Sequence, residues 1–254
     1  FLTENGFDQL ISDRIYPKEK SLSTMGVPDD YMFEVSIPYL NKLSQKAAPF
    51  FATFMTTSNH IPYHFPDYYK RRFDSKQLDA FAYADWSIKK FMHMAKKQDW
   101  YENTIFVFVA DHGWAISPAY DLALSHSYIP LLFYSPKYIA EPRIDTSMGG
   151  QIDVFPTLMG ILQLPYTNNT LGVDLQKHKR PFIYFNSDNK LGVIDHKHLY
   201  IFRKDGPETF HEYHGADNLI ESFSSKVDSM RNYAFSQMQV ANYLIRNNIV
   251  GKGD

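Results

Sequence analysis

Thr104-Ile-Phe-Val-Phe-Val-Ala-Asp-His-Gly113 is a run of β-branched and aromatic residues that ends in an acid, an imidazole and a glycine. The apolar part, residues 104–110, has the length and composition of a strand buried on both faces, as in a parallel sheet. Asp111 and His112 then fall at its carboxyl end, where open α/β sheets place their ligands. A carboxylate beside an imidazole offers two donors of the kind that hold a divalent transition metal such as Zn²⁺ or Mn²⁺. The competing reading makes Asp111 a turn cap and His112 an ordinary satisfied polar residue.

Upstream, residues 50–55 form a second apolar run, and it delivers Thr56-Thr57-Ser58-Asn59-His60 at its end. Between the two runs, residues 74–98 have a helical pattern. Leu78, Phe81, Ala82, Ile88, Met92 and Ala95 lie close to one face, and Asp74 with Gln77 resembles a capping box. Strand, helix, strand in that order is a βαβ unit, which predicts a right-handed crossover in a parallel sheet. Residues 1–49 are irregular, punctuated by Gly6, Pro17, Gly26 and Pro28, except for a helix from Pro28 to about Ser44. Downstream, residues 128–134 predict a third strand, and Asp153 the N-cap of a helix over 154–162. From Arg180 the texture changes. Short strands at 181–186, 190–194 and 199–203 predict an antiparallel meander, and 227–245 a closing amphipathic helix.

The bulk composition narrows the function. The chain has 254 residues, 44% of them hydrophobic, which suits one large α/β domain, or one with a small appendage. With a formal net charge of −2 and no basic run, nucleic acid is not an expected partner. There is no cysteine, which excludes disulfides, thiolate metal sites and a cysteine nucleophile. No apolar run of about 18 residues is present. The opening Phe-Leu-Thr-Glu-Asn-Gly-Phe reads as the middle of a domain, so an upstream part is expected.

Ten histidines are present. His64, His93, His178, His196, His198, His211 and His214 have no supporting spacing and are read as surface or structural. His60 follows an apolar run within a polar turn. His126 follows His112 by fourteen residues, just before the next strand. Imidazoles from neighbouring strand ends can converge on one crevice with Asp111 and His112, there to hold a phosphoryl oxygen or a second metal.

Val-Ala-Asp-His-Gly at 109–113 resembles the metal-binding signature of the alkaline phosphatase/sulfatase superfamily. Thr-Thr-Ser-Asn-His-Ile-Pro-Tyr at 56–63 resembles the matching segment of lipoteichoic acid synthases and related phosphoglycerol transferases. Gly-Gly-Gln-Ile-Asp-Val-Phe-Pro-Thr-Leu at 149–158 is similar to the Q-x-D-x-x-P-T-L helix start of those proteins. The resemblance runs from residue 1 to about 185. It implies an α/β fold with a mostly parallel sheet flanked by helices. Residues 1–185 would be the C-terminal portion of the catalytic domain, and 186–254 a small antiparallel sheet plus helix.

The resemblance also implies roles. Asp111 and His112 would coordinate one divalent ion, Mn²⁺ first, with Zn²⁺ or Mg²⁺ as alternatives. His60 would bind substrate phosphate. His126 stands where related phosphoethanolamine transferases carry a second phosphate- or metal-binding histidine. Gln151 and Asp153 would be structural, at the start of a helix. The family's metal-ligating Glu and nucleophilic Thr lie upstream of every motif seen here, so neither is assigned to this chain. Thr56, Thr57 and Ser58 are read as shaping the turn that aims His60.

Three functions compete. The first is a metal-dependent transferase that moves a phosphoglycerol-type headgroup from a lipid donor through a phospho-Thr intermediate. It would be extracytoplasmic and anchored by an N-terminal membrane region outside this chain, with a phospholipid headgroup or phosphorylated glycan as substrate. The second is a sulfatase or phosphodiesterase/phosphatase of the same superfamily. Ca²⁺-type sulfatases commonly have Asn where His112 stands, which favours the first. The third is a non-catalytic glycan- or lipid-binding module.

Overall fold

The computed structural model describes residues 2–4, 6–116, 119–213 and 215–249, so His214, read above as surface or structural, lies outside the described residues. The chain divides into two compact units, Phe1–Thr104 with Ser135–Lys137, and Ile105–Tyr134 with Tyr138–Asp254.

In the first unit, helix α1 (Asp29–Ser44) begins directly after Pro28. Asp29 and Asp30 occupy its first turn, where carboxylates meet the positive end of the helix. Helix α2 (Lys76–Ala95) packs on α1. Its N-cap is Ser75, whose Oγ accepts from the Leu78 N–H, and not the Asp74–Gln77 box expected from the sequence. The buried face is rotated as well. Ala80, Tyr83, Phe91 and Ala95 point inward, while Leu78 and Phe81 are 50% and 44% exposed.

Polar anchoring explains the rotation. Asp79 is fully buried and accepts from Arg71 Nε (2.7 Å) and from the backbone N–H groups of Arg72 (2.7 Å) and Phe73 (3.2 Å). Burial alone would push its carboxyl up, but these donors hold it below the usual range. The face carrying Asp79 must therefore turn inward. Buried Asp30 does the same between the helices. It accepts from the Tyr68 and Tyr83 hydroxyls and from Lys90 Nζ at 2.9 Å. Burial, then this carboxylate, pushes both tyrosine hydroxyls well above their ordinary value. Phe33, Phe54 and Phe91 close the core with ring centroids 4.8–5.7 Å apart. Residues 50–55, expected as a strand, have no ladder partner among the described residues. Only Phe54 is anchored in the core, and Phe51 and Met55 stand 70% and 83% exposed.

In the second unit, strand β1 (Phe106–Val109) leads through helix α3 (Leu124–Ser127) to strand β2 (Leu131–Tyr134). Both strands were expected, but they pair antiparallel, Phe106 opposite Tyr134 and Val109 opposite Leu131. No ladder among the described residues is parallel. The connection accounts for this. The Gly113 N–H donates to His126 O at 2.7 Å, so the returning chain is latched to the end of β1 it has just left. A chain that re-enters from that end runs antiparallel.

Helix α4 (Val154–Leu162) follows a 3₁₀ turn, Gln151–Asp153. Then β3 (Ile183–Ser187), β4 (Lys190–Ile194), β5 (His198–Arg203) and β6 (Thr209–Glu212) form the expected meander in that spatial order. Its fourth strand was not foreseen. Helix α5 (Ser224–Arg246) covers one face, packing Val227, Met230 and Ala234 on Val193, Tyr200 and Phe210. The other face carries Leu199 and Ile201 against Leu122, with Tyr120 and Leu124 beside them. Arg203 clamps Asp121 through Nε–Oδ2 (3.0 Å) and Nη2–Oδ1 (2.7 Å). The C-terminal sheet thus anchors the loop that carries α3 and His126. Among the described residues no helix is long and apolar enough to cross a membrane.

One polar knot ties α5 to the sheet. Asp195 Oδ1 accepts from the Lys197 and His198 N–H groups (2.8 and 2.7 Å), and Oδ2 lies 2.5 Å from Lys226 Nζ. Burial opposes the charge, but Lys226 and the backbone donors outweigh it and bring the carboxyl down to about 2. A depressed carboxyl adds stability above its unfolded value near pH 4, and that stability is lost as the pH falls toward 2. Asp195→Asn is expected to cost about 2 kcal/mol at pH 7. Urea unfolding of both proteins at pH 7 and pH 2.5 checks this, because the gap should shrink by more than half at the lower pH.

Candidate metal and phosphate site

Asp111 and His112 leave the end of β1 exposed to solvent, with side chains 88% and 53% accessible. Asp111 Oδ1 accepts the His112 backbone N–H at 2.8 Å, which leaves Oδ2 free to turn outward. His112 Nδ1 lies 2.8 Å from Gly113 O. A carbonyl oxygen can only accept, so Nδ1 carries the proton and Nε2 presents its lone pair. That is the form in which an imidazole ligates a metal. His112 Nε2 and Asp111 Oδ2 stand 3.6 Å apart. Two donors that each bind one ion at about 2.1 Å span such a distance comfortably. The pair therefore fits as two ligands of a divalent cation. No group of three or more His, Cys, Asp or Glu residues able to hold a metal occurs among the described residues.

The structure brings His126 to this pair. Its ring lies 4.5 Å from that of His112, centroid to centroid, at 30° between planes. The approach depends on Gly113. A Cβ there would meet Ser125 O at 2.2 Å and Tyr128 O at 3.0 Å. Only a residue without a side chain lets the backbone of α3 come this close. Ser125 Oγ also accepts the Ile116 N–H at 3.0 Å, closing the loop a second time.

Gln151, read from the sequence as structural, reaches from its helix start back to the end of β1. Its Nε2 donates to Ala110 O (2.9 Å) and Asp111 O (2.8 Å), the two carbonyls flanking the Asp111 amide. Asp153 is structural, as expected. It is fully buried, accepts the Gly150 and Val173 N–H groups, and is clamped by Arg180. It makes no side-chain cap to α4.

His60 belongs to the first unit, whereas Asp111, His112 and His126 belong to the second. Its Nδ1 lies 2.6 Å from Ile61 O, so by the same logic Nδ1 is protonated and Nε2 faces outward. It lines a small depression of about 20 Å³ with Ser23, Thr57, Ser58, Pro62 and His64. The turn before it is held by Asp29, which sequence reading missed. Asp29 Oδ1 accepts the Thr57 and Ser58 N–H groups (2.9 and 3.1 Å), and the Asp29 N–H donates back to Ser58 Oγ at 3.0 Å. Thr57 and Ser58 do shape the turn. His198 and His211 are buried and structural, His198 against Asp195 and His211 on Asp217 O and the Tyr120 ring.

Asp29 Oδ2 is buried and finds no hydrogen-bond partner among the described residues, and burial raises this carboxyl above its usual value. A raised carboxyl lowers folded-state stability as the pH climbs from the unfolded value through the folded one. Asp29→Asn keeps the acceptor and removes the charge, so it is expected to hold or gain stability at pH 7 and to flatten this dependence. Asp29→Ala leaves two N–H groups unpaired and should cost roughly 1–3 kcal/mol. Thermal melts of both variants from pH 4 to 8 separate the two outcomes.

Comparison with known proteins follows the same residues. A family model described as Sulfatase matches residues 1–164. Lipoteichoic acid synthase 1 of Bacillus subtilis is 25% identical over 238 residues, covering 85% of this chain and 34% of the relative. Phosphoglycerol transferase I of Xanthomonas axonopodis pv. citri is 27% identical over 175 residues, covering 64% of this chain and 25% of the relative. The crystal structure of a protein in the alkaline phosphatase superfamily from Vibrio parahaemolyticus superposes with a TM-score of 0.82 at 26% identity. It covers 98% of this chain and 62% of that one. The chain spans about a third or less of the length of these curated relatives. The expected α/β, alkaline phosphatase-like class is thus met, although the ladders of the described residues are antiparallel.

Proposed function

We propose, from the premise that this chain belongs to the sulfatase family, that it is part of a metal-dependent transferase moving a phosphoglycerol-type headgroup from a lipid donor. In this reading residues 1–185 are the C-terminal portion of the catalytic domain, with 186–254 as its sheet-and-helix extension. The protein works outside the cytoplasm, anchored through a segment beyond these residues. Similarity to a lipoteichoic acid synthase and a phosphoglycerol transferase supports the substrate class. The observation that carries the chemistry is the exposed Asp111–His112 donor pair with the His126 ring tilted beside it.

Asp111 Oδ2 and His112 Nε2 would hold the ion, Mn²⁺ in the first instance. When bound, a divalent ion supplies charge stabilisation at a phosphoryl oxygen and lowers the pKa of a hydroxyl nucleophile. His126 in the second unit and His60 in the first are each proposed as phosphate-binding residues. With Nδ1 committed to Ile61 O, the His60 ring is held in one orientation and turns Nε2 outward. The nucleophile of the proposed phospho-Thr step is assigned to no residue of this chain. His112 beside Asp111 favours this reading over a Ca²⁺-type sulfatase, and a phosphodiesterase/phosphatase of the same superfamily is the second reading.

The test is turnover by the full-length protein with Mn²⁺ on phosphatidylglycerol vesicles and, separately, on a sulfate ester. Chelator-sensitive release of diacylglycerol, with the sulfate ester untouched, is the expected result. Sulfate release without diacylglycerol would overturn the transferase in favour of a sulfatase.

A further inference from the structure

We infer that Gln151 is a positioning residue for the metal-donor pair: its side-chain amide fixes the backbone on both sides of Asp111 and so sets the direction of the two donor atoms. This inference rests on the reading of Asp111 and His112 as metal ligands.

Three observations carry it. The first is the clamp itself, one amide nitrogen donating both its hydrogens, to Ala110 O at 2.9 Å and Asp111 O at 2.8 Å. These are the carbonyls on either side of the residue that bears the carboxylate donor. The pairing therefore restrains the peptide planes from which Asp111 and His112 project. The second is where β1 ends. The ladder with β2 stops at Val109, opposite Leu131, so the carbonyls of Ala110 and Asp111 lie past the last strand pair. Gln151 supplies donors where the sheet no longer does.

The third is what holds Gln151. It opens the 3₁₀ turn that ends at Asp153. Asp153 Oδ2 accepts the Gly150 N–H at 2.9 Å, and the Asp153 N–H donates to Gly150 O at 2.9 Å. The turn bearing Gln151 is thereby closed by its own backbone and tied to a fully buried carboxylate. A side chain exposed to solvent is delivered from a rigid base, the arrangement that outer groups need if they are to orient ligands. Side chains that support a metal's ligands without touching the metal commonly change its affinity by 10–100-fold when removed.

The substitutions are Gln151→Met, which keeps length and volume without a donor, and Gln151→Glu, which sets a carboxylate against two carbonyls. Mn²⁺ binding to the full-length protein is read by the loss of the free-ion paramagnetic resonance signal, and melting temperature is read without metal. Both variants are expected to weaken Mn²⁺ binding about tenfold or more. Their metal-free melting temperature should stay within about 2 °C of wild type, because the side chain is exposed. Gln151→Asn, an amide one methylene too short, serves as a further control and should bind as weakly as Gln151→Met.

Unchanged Mn²⁺ affinity in Gln151→Met and Gln151→Glu would overturn the inference while leaving the donor pair standing. A large fall in metal-free stability with unchanged affinity would overturn it too, in favour of a purely structural role. Asp111→Ala runs beside them. If it binds Mn²⁺ like wild type, the donor-pair reading itself is wrong and the inference falls with it.

Discussion

Gly113→Ala is expected to lower the proposed headgroup transfer about 100-fold and to cost roughly 1–3 kcal/mol of stability, although it adds a single methyl group. The added carbon would sit 2.2 Å from Ser125 O and 3.0 Å from Tyr128 O. Carbon and oxygen do not approach closer than about 3.2 Å without strong repulsion, so α3 has to withdraw by roughly 1 Å. Both offending atoms are backbone, and no rotamer change relieves them. Withdrawal stretches the 2.7 Å bond from the Gly113 N–H to His126 O and draws the His126 ring away from His112. A displacement of about 1 Å at a reacting centre commonly costs two orders of magnitude in rate.

Gly206→Ala is the matched control. Its Cβ would meet only Arg203 side-chain carbons, at 3.4 and 3.6 Å, ordinary contacts, so stability should change by no more than about 0.5 kcal/mol. Melting temperatures and initial rates of the two variants, measured side by side, decide the matter. Wild-type rate and stability in Gly113→Ala would mean that the close approach of α3 is not what holds the two histidines together.

The same glycine shows how far the sequence could be read. Asp-His-Gly after an apolar run announced an exposed carboxylate and imidazole at the end of β1, because local order alone places two side chains at a strand end. It could not announce the direction of β2. That depends on a hydrogen bond between residues 113 and 126, which no periodicity encodes. His126 was singled out by its place before the next strand and by a family resemblance, neither of which reports its distance from His112. Its approach to that ring depends on Leu122 and Asp121 being held by a sheet some eighty residues later. Gln151 was legible only as part of a helix-start motif, and Asp29 only as a first-turn acid. Each acts on backbone 28 to 41 positions away, Asp29 on Thr57 and Ser58, Gln151 on Ala110 and Asp111. The rotated face of α2 failed for a related reason. Hydrophobic periodicity ranks apolar residues, whereas Asp79 with its three donors outweighs Leu78 and Phe81 once the loop at 71–73 folds over it.

Arg180→Met is expected to be the most destabilising single substitution considered, at about 3–5 kcal/mol, the usual cost of leaving one partner of a buried ion pair unpaired. Arg180 and Asp153 have side chains 8% and 0% exposed. They meet through two parallel bonds, Nε–Oδ2 at 2.7 Å and Nη2–Oδ1 at 2.6 Å, the geometry in which a guanidinium binds a carboxylate most firmly. Burial alone would pull the guanidinium's pKa down, yet the pairing with Asp153 carries it above its ordinary value. Arg180 also donates to Leu171 O and Tyr233 Oη, so one cation joins the turn before α4, the loop after it and helix α5. In Arg180→Met the charge on Asp153 keeps only the Gly150 and Val173 N–H groups.

Asp153→Asn added to Arg180→Met should recover a substantial part of the loss, because an amide can still accept one of those N–H groups and carries no charge to strand. The recovery makes the two substitutions strongly non-additive, and a double-mutant cycle by urea unfolding measures it directly. Additive losses would mean that the pair is not coupled and that Arg180 acts through Leu171 and Tyr233 alone. The cycle has a second readout at the site. Asp153 sets the turn that presents Gln151, so Arg180→Met should also weaken Mn²⁺ binding, and the double variant should restore it in parallel with stability.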